Sequence, residues 1–417
     1  MSMAGPVALP LSHTHTFRAV SHPLRVFSGE DALAQLPAEL ARAGAFRAVV
    51  LCGRSVKNGS ELVNRLRALL GPRLVGVFAE LSAGAPRQQV EAAAAAVAAV
   101  AGDALVAIGA GSVTKAARVV AIRLAEERPL DALATRYDVS GRGTSTRLCA
   151  PKIPIFNVLT AATTSQNRAG ASIRDEAANC QLEFFDPKTR PRAVFWDAQA
   201  LLTAPRSLTR SAAGMEYWWG LMNLAGASDE NPLVLANRRQ AWAIAQEVMP
   251  RMDDDADWRV RVELCAAALL RTRDEDDGGV PLGVAPGSHE IRMHPLTRAT
   301  YMLAQGLFNT GTSISQPAAT MALAAPAVRA FGDLCPQVVA DIGHLLGVAD
   351  TSTAGVADTL ESRLRDFGFT LDLRAAGVSR ESAAVVTAAS LRTFNCNADG
   401  WMDDKQPRLQ TMLDAVL

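Results

Sequence analysis

The sequence lacks an excess of either charge, because 42 basic side chains balance 42 acidic ones among its 417 residues. A protein that binds nucleic acid or an anionic membrane by electrostatics carries a basic excess, so neither partner is expected. No apolar run approaches the ~18 residues that a membrane-spanning helix needs. The N-terminal MSMAGPVALPLSHTHTF has no charged segment followed by an apolar core, so it is not read as a signal peptide. We therefore expect a cytoplasmic protein.

Cysteine motifs are also missing. The six cysteines are scattered and form no CxxC pair. Cys52 and Cys265 lie in apolar runs, AVVLC and VELCAAALL, and are interpreted as small buried side chains. This usage fits a reducing compartment and excludes a disulfide framework.

Strand and helix signals alternate in the first half of the chain. One helix is predicted to begin near Pro86 and to end at Gly102. The alternation predicts a parallel sheet with helices on both faces. The predicted strands are FRAVVLC (46–52), LVGVFA (74–79), DALVAI (103–108), PIFNVL (154–159) and AVFWD (193–197).

Only helical periodicity follows residue 205, and the acidic DEDDGG (274–279) is read as a surface loop. We predict a flexible tail over 1–20, a Rossmann-like α/β dinucleotide-binding domain over 21–204, and an all-helical domain over 205–417.

A glycine turn in IGAGSVTKAAR (108–118) is the sharpest chemical signal of the first half. A strand ends there and a helix begins, with Ser112 placed to cap it. Free N–H groups and the helix dipole suit a pyrophosphate, and Gly109, Ala110 and Gly111 let it approach the backbone. The alternative is an ordinary turn between a strand and a helix.

The stretch CGRSVKNGS (52–60) bears on which dinucleotide binds. Folds that prefer NAD usually place an acidic residue after such a strand, to accept from the ribose 2′-hydroxyl. Here that place has a small residue, a hydroxyl and two cations, which suit a 2′-phosphate: Gly53, Ser55, Arg54 and Lys57. We therefore predict NADP over NAD. A solvated basic loop is the alternative.

Several stretches together resemble the iron-containing (group III) alcohol dehydrogenases, which include maleylacetate reductases and are related to dehydroquinate synthase. RVFSGEDALAQLPAEL is similar to the family's opening, GAGSVTKAAR to its GGGSxxDxAK, and LTAATTSQN (159–167) to its PTTAGTGSE. AVFWDAQALLTAPRSLTRSAAGMEYW and LDLRAAGVSRES match two further patterns. The resemblance implies a dehydroquinate synthase-like fold, a cofactor cleft between two domains, homodimers, and cofactor contacts from Thr160, Ala161 and Thr164.

The family's metal ligands are missing. In the family, an Asp and a His four residues apart, followed by two further His, bind iron or zinc. The corresponding positions here are Glu216, Gly220 and, for one later His, Gln316, and no histidine lies between 295 and 343. Since a transition metal needs about four ligands including imidazole or thiolate, no metal is expected.

Without a metal, a protein group must take or give the proton. The candidates are His294, His289, Tyr217, Lys115 and Glu216, with His294 ranked first because it precedes a helix expected to line the cleft. The alternative for His294 is that it is a surface residue before Pro295. The alternatives for Lys115 are that it contacts a phosphate group or is a solvent-exposed lysine. Trp218, Trp219 and Gln316 are predicted to border a substrate pocket, with packing as the alternative for the aromatic residues.

Three functions remain. The first is a metal-independent NAD(P)-dependent oxidoreductase that acts on an alcohol or a carbonyl compound. A β-hydroxy acid, such as a peptide with a C-terminal Thr, is a candidate substrate, because its oxidation product loses carbon dioxide. Such an enzyme would serve a pathway to a specialised metabolite or a modified peptide. The second is a degenerate dehydrogenase that serves as a non-catalytic partner of another biosynthetic enzyme. The third, chemistry like that of dehydroquinate synthase, needs a metal and ranks last.

Overall fold

The computed structural model describes residues 16–137, 143–178, 180–227, 230–252, 257–277, 293–310, 314–374, 377–397 and 399–417. All of its strands precede residue 198. They are β1 (Arg25–Gly29), β2 (Ala48–Cys52), β3 (Leu74–Phe78), β4 (Ala104–Gly109), β5 (Arg136–Tyr137), β6 (Gly143–Thr144), β7 (Ile155–Leu159), β8 (Gly170–Asp175), β9 (Cys180–Phe185) and β10 (Ala193–Asp197).

Helices accompany the strands in the first half and form all the regular structure after β10. Those in the first half are α1 (Leu36–Arg42), α2 (Arg54–Gly59), α3 (Leu62–Leu70), α4 (Arg87–Ala99), α5 (Gly111–Glu126) and α6 (Leu130–Leu133). Next come α7 (Ala198–Leu202), α8 (Arg206–Leu224), α9 (Pro232–Val248), α10 (Trp258–Thr272), α11 (Pro295–Asn309) and α12 (Gln316–Phe331). The last are α13 (Pro336–Leu346), α14 (Thr353–Asp366), α15 (Arg380–Leu391), α16 (Phe394–Asn397) and α17 (Gln406–Asp414).

Six parallel strands form the main sheet, in the order β1-β10-β7-β4-β2-β3. All residues of β2, β4, β7 and β10 are buried, as expected of parallel strands covered on both faces. One apolar cluster includes residues of α4 and α5, and the other includes residues of α1 and α3. The predicted fold class, a parallel α/β unit followed by helices, is confirmed.

Strand register brings the chemically interesting loops together. Cys52 of β2 pairs with Ile108 of β4, and Gly109 of β4 pairs with Leu159 of β7. The chain therefore leaves these three neighbouring strands at one edge of the sheet. In parallel α/β sheets this carboxyl edge is where ligands bind.

Two predictions from sequence need correction. RVFSG forms the edge strand β1, and the segment from Gly170 to Phe185 forms an antiparallel hairpin of β8 and β9; neither was predicted as strand. The acidic DEDDGG is not a surface loop where the structure describes it. Asp274 is buried with its carboxylate 2.7 Å from Arg238 Nε, and Asp277 is also buried; residues 278 and 279 lie outside the described ranges.

The helices after residue 205 share a large apolar core that includes residues of α8, α11 and α12. Helix α12 runs through Pro326 without ending. All six cysteines are free thiols, with Cys52 and Cys265 buried as predicted. Among the described residues, no helix has the length and hydropathy to cross a membrane.

Candidate active site

The turn between β4 and α5 has the close packing that its glycines predict. A Cβ on Gly109 would lie 2.6 Å from Val113 Cγ2, and one on Gly111 would lie 3.2 Å from Thr163 Oγ1. No side chain caps α5 at Ala110. Among the described residues, the N–H groups of Gly111, Ser112 and Val113 have no hydrogen-bond partner. This uncapped helix start fits a phosphate group.

Ser112 does not cap α5, contrary to the sequence-based prediction. It lies inside the helix, and its hydroxyl accepts a hydrogen bond from the Gly84 N–H at 3.0 Å. The hydroxyl therefore fastens the loop after β3 to the start of α5. Ser112 can still offer its own N–H to a phosphate.

Arg118 organises the loop that follows β7. Its guanidinium is 1% exposed and donates to the carbonyls of Gly170 at 2.7 Å and Arg168 at 3.1 Å, and to both oxygens of Ser165. Burial lowers the pKa of Arg118 to about 9, which leaves it charged at neutral pH. Arg118 thus fixes residues 165–170, the segment that directly follows the predicted cofactor contact Thr164, beside α5.

Lys115 lies one turn into α5 and faces the β8–β9 hairpin. Its Nζ is 3.4 Å from Ser172 Oγ. Burial, and then the nearby charges of Arg118 and Arg168, lower the pKa of Lys115 to about 8, against the opposing charge of Glu183. Lys115 is therefore not a solvated surface lysine, and its pKa lies near neutrality.

The predicted 2′-phosphate stretch forms a short helix, α2, and not a loop. A Cβ on Gly53 would lie 2.8 Å from the Leu81 carbonyl, so glycine is required by this close approach. Ser55 and Lys57 are exposed beside it. Arg54 pairs with Glu80, a residue that sequence reasoning missed although it follows the neighbouring strand β3. The carboxylate of Glu80 neutralises one of the two predicted cations.

Glu216 has a partner that the sequence did not reveal. Arg271 on α10 donates to both carboxylate oxygens, from Nε at 2.9 Å and from Nη2 at 3.2 Å. The Glu216 side chain is only 4% exposed and the Arg271 side chain 9%. The Arg271 guanidinium also lies over the Trp219 ring at 5.6 Å. The Arg271 guanidinium thus binds both oxygens of Glu216, the residue at the position of a family metal ligand.

The other positions do not fit a metal either. Gly220 offers no ligand atom, and a Cβ there would be in packing contact with Trp242 on α9, 3.4 Å from its Cα. Gln316 begins α12, half-buried, and its carbonyl accepts from Thr320 Oγ1 at 2.9 Å. Across the described ranges, no group of three or more His, Cys, Asp or Glu side chains could hold a metal ion. The family's metal does not fit these residues.

The three aromatic residues after Glu216 take different positions. Tyr217 and Trp218 are each 1% exposed and lie in the helical core, where Tyr217 packs on Trp242 at 4.9 Å. Burial raises the pKa of Tyr217, which disfavours a role in proton transfer at neutral pH. Trp219 alone contacts the Glu216–Arg271 pair, and its other neighbour is Tyr301, 6.2 Å away.

His294 lies at the start of α11, but it is a packed residue. Its Nε2 is 3.2 Å from the Met222 carbonyl and 3.0 Å from Thr297 Oγ1. Burial lowers the pKa of His294 to about 4, so the imidazole is neutral at pH 7. His289 falls outside the described residues.

Helix α11 connects the Arg271 region to the glycine turn. Tyr301, Gln305 and Phe308 follow helical spacing along one face of α11. Tyr301 neighbours Trp219, whereas Phe308 lies beside Gly84, whose N–H is bonded to Ser112. A single face of α11 therefore runs from the former metal position to the predicted phosphate site.

Two residues that depart from the family pattern join the sheet to α10. Gln166 is fully buried, donates to the Cys265 carbonyl at 2.9 Å, and accepts from Trp196 Nε1 at 2.9 Å. Asn167 Oδ1 accepts from Thr272 Oγ1 at 2.8 Å. These bonds fix the helix that carries Arg271 against the loop after β7.

The family model of iron-containing alcohol dehydrogenases matches residues 23–198, the part of the chain that includes the parallel sheet. Maleylacetate reductase 2 of Cupriavidus pinatubonensis is 28% identical over 339 residues, which cover 80% of this chain and 79% of that protein. Over residues 23–198 the chain is therefore similar in sequence to the iron-containing alcohol dehydrogenases.

Two solved structures share the fold over almost the whole chain. NADH-dependent butanol dehydrogenase A from Thermotoga maritima superposes with a TM-score of 0.77 at 15% identity, covering 97% of this chain and 100% of that one. Sulfoacetaldehyde reductase from Bifidobacterium kashiwanohense, solved in complex with NAD+, gives a TM-score of 0.75 at 14% identity, covering 95% and 98%. The family model that matches and the similar maleylacetate reductase both describe oxidoreductases.

Proposed function

We propose that this protein is a metal-independent, NADP-dependent oxidoreductase that oxidises the hydroxyl of a β-hydroxy acid, such as a peptide with a C-terminal Thr. The observation that carries this proposal is the Glu216–Arg271 ion pair, 2.9 Å at its closest, at the position of a family metal ligand. A guanidinium there supplies a permanent positive charge close to where the metal would act. Positive charge there can attract the carboxylate of such a substrate and so position its hydroxyl for hydride transfer.

The dinucleotide site supports the cofactor assignment. Three unpartnered N–H groups at the start of α5 and the close-packed Gly109 and Gly111 suit a pyrophosphate. Ser55 and Lys57, exposed beside Gly53, suit a 2′-phosphate. When bound, the dinucleotide accepts the hydride.

The proposed reaction balances without a metal. NADP+, held by the start of α5 and the Gly53 region, would accept the hydride from the carbinol carbon as its C–H bond breaks, while the hydroxyl proton would leave to a protein base and the carbonyl would form. The resulting β-keto acid then takes up one proton and releases carbon dioxide. Lys115 is the proposed base, because it lies one turn into α5 from the predicted pyrophosphate site and burial lowers its pKa to about 8.

The metal-free reaction is tested by chelation. The purified protein is dialysed against a strong chelator, analysed for iron and zinc, and assayed for NADPH formation with a panel of 3-hydroxy acids and Thr-terminated peptides. We expect turnover to be unchanged by chelation, because both Glu216 oxygens are bound by Arg271. Stoichiometric metal in active protein, or loss of turnover that zinc or iron restores, would contradict the proposal.

The preference for NADP is tested by calorimetric titration of NADP and NAD. The variant Lys57→Ala is expected to weaken NADP binding about tenfold, the effect of one charge-assisted contact to phosphate, and to leave NAD unchanged. Glu80→Gln should strengthen NADP binding, because Arg54 is then released from its ion pair. Arg67→Ala, an exposed cation on α3, is the matched control. Equal losses for both dinucleotides would count against the assignment.

A further inference from the structure

We infer that Arg271 binds the substrate's carboxylate directly and that Glu216 is its positioning residue. This inference rests on the proposed function, and it identifies the substrate class from the side chain that receives it. Arg271 uses Nε and Nη2 to bind Glu216. The hydrogen bonds that Arg271 makes to described residues use Nε and Nη2 and leave Nη1 unused. The second edge of the guanidinium, formed by Nη1 and Nη2, is therefore available for a bidentate carboxylate.

Arg271 is held rigidly enough to act as a receptor. Two hydrogen bonds to Glu216 fix one edge, and the face of Trp219 lies 5.6 Å from the guanidinium carbon. A guanidinium that is ordered before binding loses little conformational freedom when the ligand arrives. With a side-chain exposure of 9%, Arg271 is largely shielded from water, which strengthens its attraction for an anion.

A second polar group near Trp219 suits the hydroxyl of the same substrate. Gln305 is 7% exposed, and its Nε2 donates to the Tyr301 hydroxyl at 3.0 Å. Its Oε1 is buried and has no hydrogen-bond partner among the described residues. Buried acceptors are normally satisfied, so this oxygen calls for a donor. A β-hydroxy acid supplies a carboxylate for Arg271 and a hydroxyl that donates to Gln305 in the binding complex and turns its proton to the base Lys115 during the reaction.

A purely structural ion pair gives different expectations. In that case Arg271 would only neutralise Glu216, and changing either residue would lower stability without changing which ligands bind. If Arg271 is a receptor, the two changes have opposite effects on carboxylate binding. Removing the cation abolishes the attraction, whereas neutralising Glu216 removes a competing anion and strengthens it.

The test compares 3-hydroxybutyrate with 3-hydroxybutyramide, which differ in the charged group. Both are titrated calorimetrically into the full-length protein, with and without NADP. In the wild type we expect the acid to bind at least about tenfold more tightly than the amide, from one charged bidentate contact. Arg271→Met should remove this preference, Glu216→Gln should increase it, and Arg273→Met, an exposed arginine on the turn after α10, should leave it unchanged.

A variant that fails to fold does not end the test. If Arg271→Met is unstable because Glu216 is left buried and unpaired, the double variant Glu216→Leu/Arg271→Met removes both charges and restores an apolar contact. An unchanged preference for the acid in either variant would overturn the inference, as would a wild type that does not distinguish acid from amide.

The inference and the proposed function fail in distinguishable ways. A wild type that prefers the acid through Arg271 but binds no dinucleotide would support the carboxylate site and refute the oxidoreductase function. A wild type that transfers hydride while Arg271→Met keeps its preference for the acid would do the reverse. Loss of the ligand-induced fluorescence change in Trp219→Phe, with calorimetric binding retained, would place the carboxylate beside Trp219.

Discussion

Replacing Lys115 with methionine is expected to lower kcat for hydroxy-acid oxidation by about 10²- to 10⁴-fold, the usual contribution of a general base. The amine must be neutral to accept the hydroxyl proton. With its pKa lowered to about 8 by burial, the wild type should oxidise faster as pH rises through 8 and then reach a plateau. The reverse reduction needs the ammonium form and should slow over the same range. Both dependences are measured as kcat against pH.

Lys115→Arg is the matched control, because it keeps the positive charge but does not release a proton at these pH values. If Lys115 acts by proton transfer, this variant is as slow in oxidation as Lys115→Met. If it acts only through its charge, the arginine restores most of the rate. The methionine variant should fold well, since it removes a half-buried cation next to Arg118 and Arg168. An unchanged pH profile in Lys115→Met would assign the base elsewhere.

Replacing Arg118 with methionine is expected to destabilise the protein by about 3 kcal/mol or more, because several buried acceptors lose their donor at once. The affected carbonyls belong to Ser165, Arg168 and Gly170. The loop after β7, which carries the predicted cofactor contact Thr160, should then open more often, and NADP binding should weaken with it. Urea denaturation measures the first effect and calorimetry the second.

Two controls separate these consequences. Arg118→Lys keeps a cation but cannot reach all three carbonyls, so its stability should lie between those of wild type and Arg118→Met. Thr189→Val also removes buried hydrogen bonds, to the carbonyls of Ala169 and Asp186, but keeps the Arg118 bonds to Ser165, Arg168 and Gly170. It should destabilise the protein less and leave NADP affinity intact. Hydrogen exchange that stays slow over 165–170 in Arg118→Met would contradict the proposed role of Arg118.

Local patterns were sufficient to predict the scaffold. The buried strands β2, β4, β7 and β10 are short runs rich in β-branched and apolar residues, and hydrophobic periodicity predicted most helices after residue 205. The edge strand β1 and the hairpin of β8 and β9 were missed because both are partly exposed and carry polar residues. Their strand conformation depends on neighbours that local sequence does not reveal.

The sequence by itself determined the glycine turn, the small residue after β2 and the absence of histidine at the family's ligand positions, since each follows from residue types at fixed spacing. Only the tertiary structure decided which side chain pairs with Glu216. Arg271 lies 55 residues after Glu216 and meets it because α10 packs against α8. From sequence, Gln166 is only a departure from the family pattern and Trp196 only a residue of a predicted strand. In the structure Trp196 donates to Gln166, and Gln166 donates to the Cys265 carbonyl on α10. Contacts between distant helices depend on how whole faces pack, and a single sequence carries no local signal of that choice.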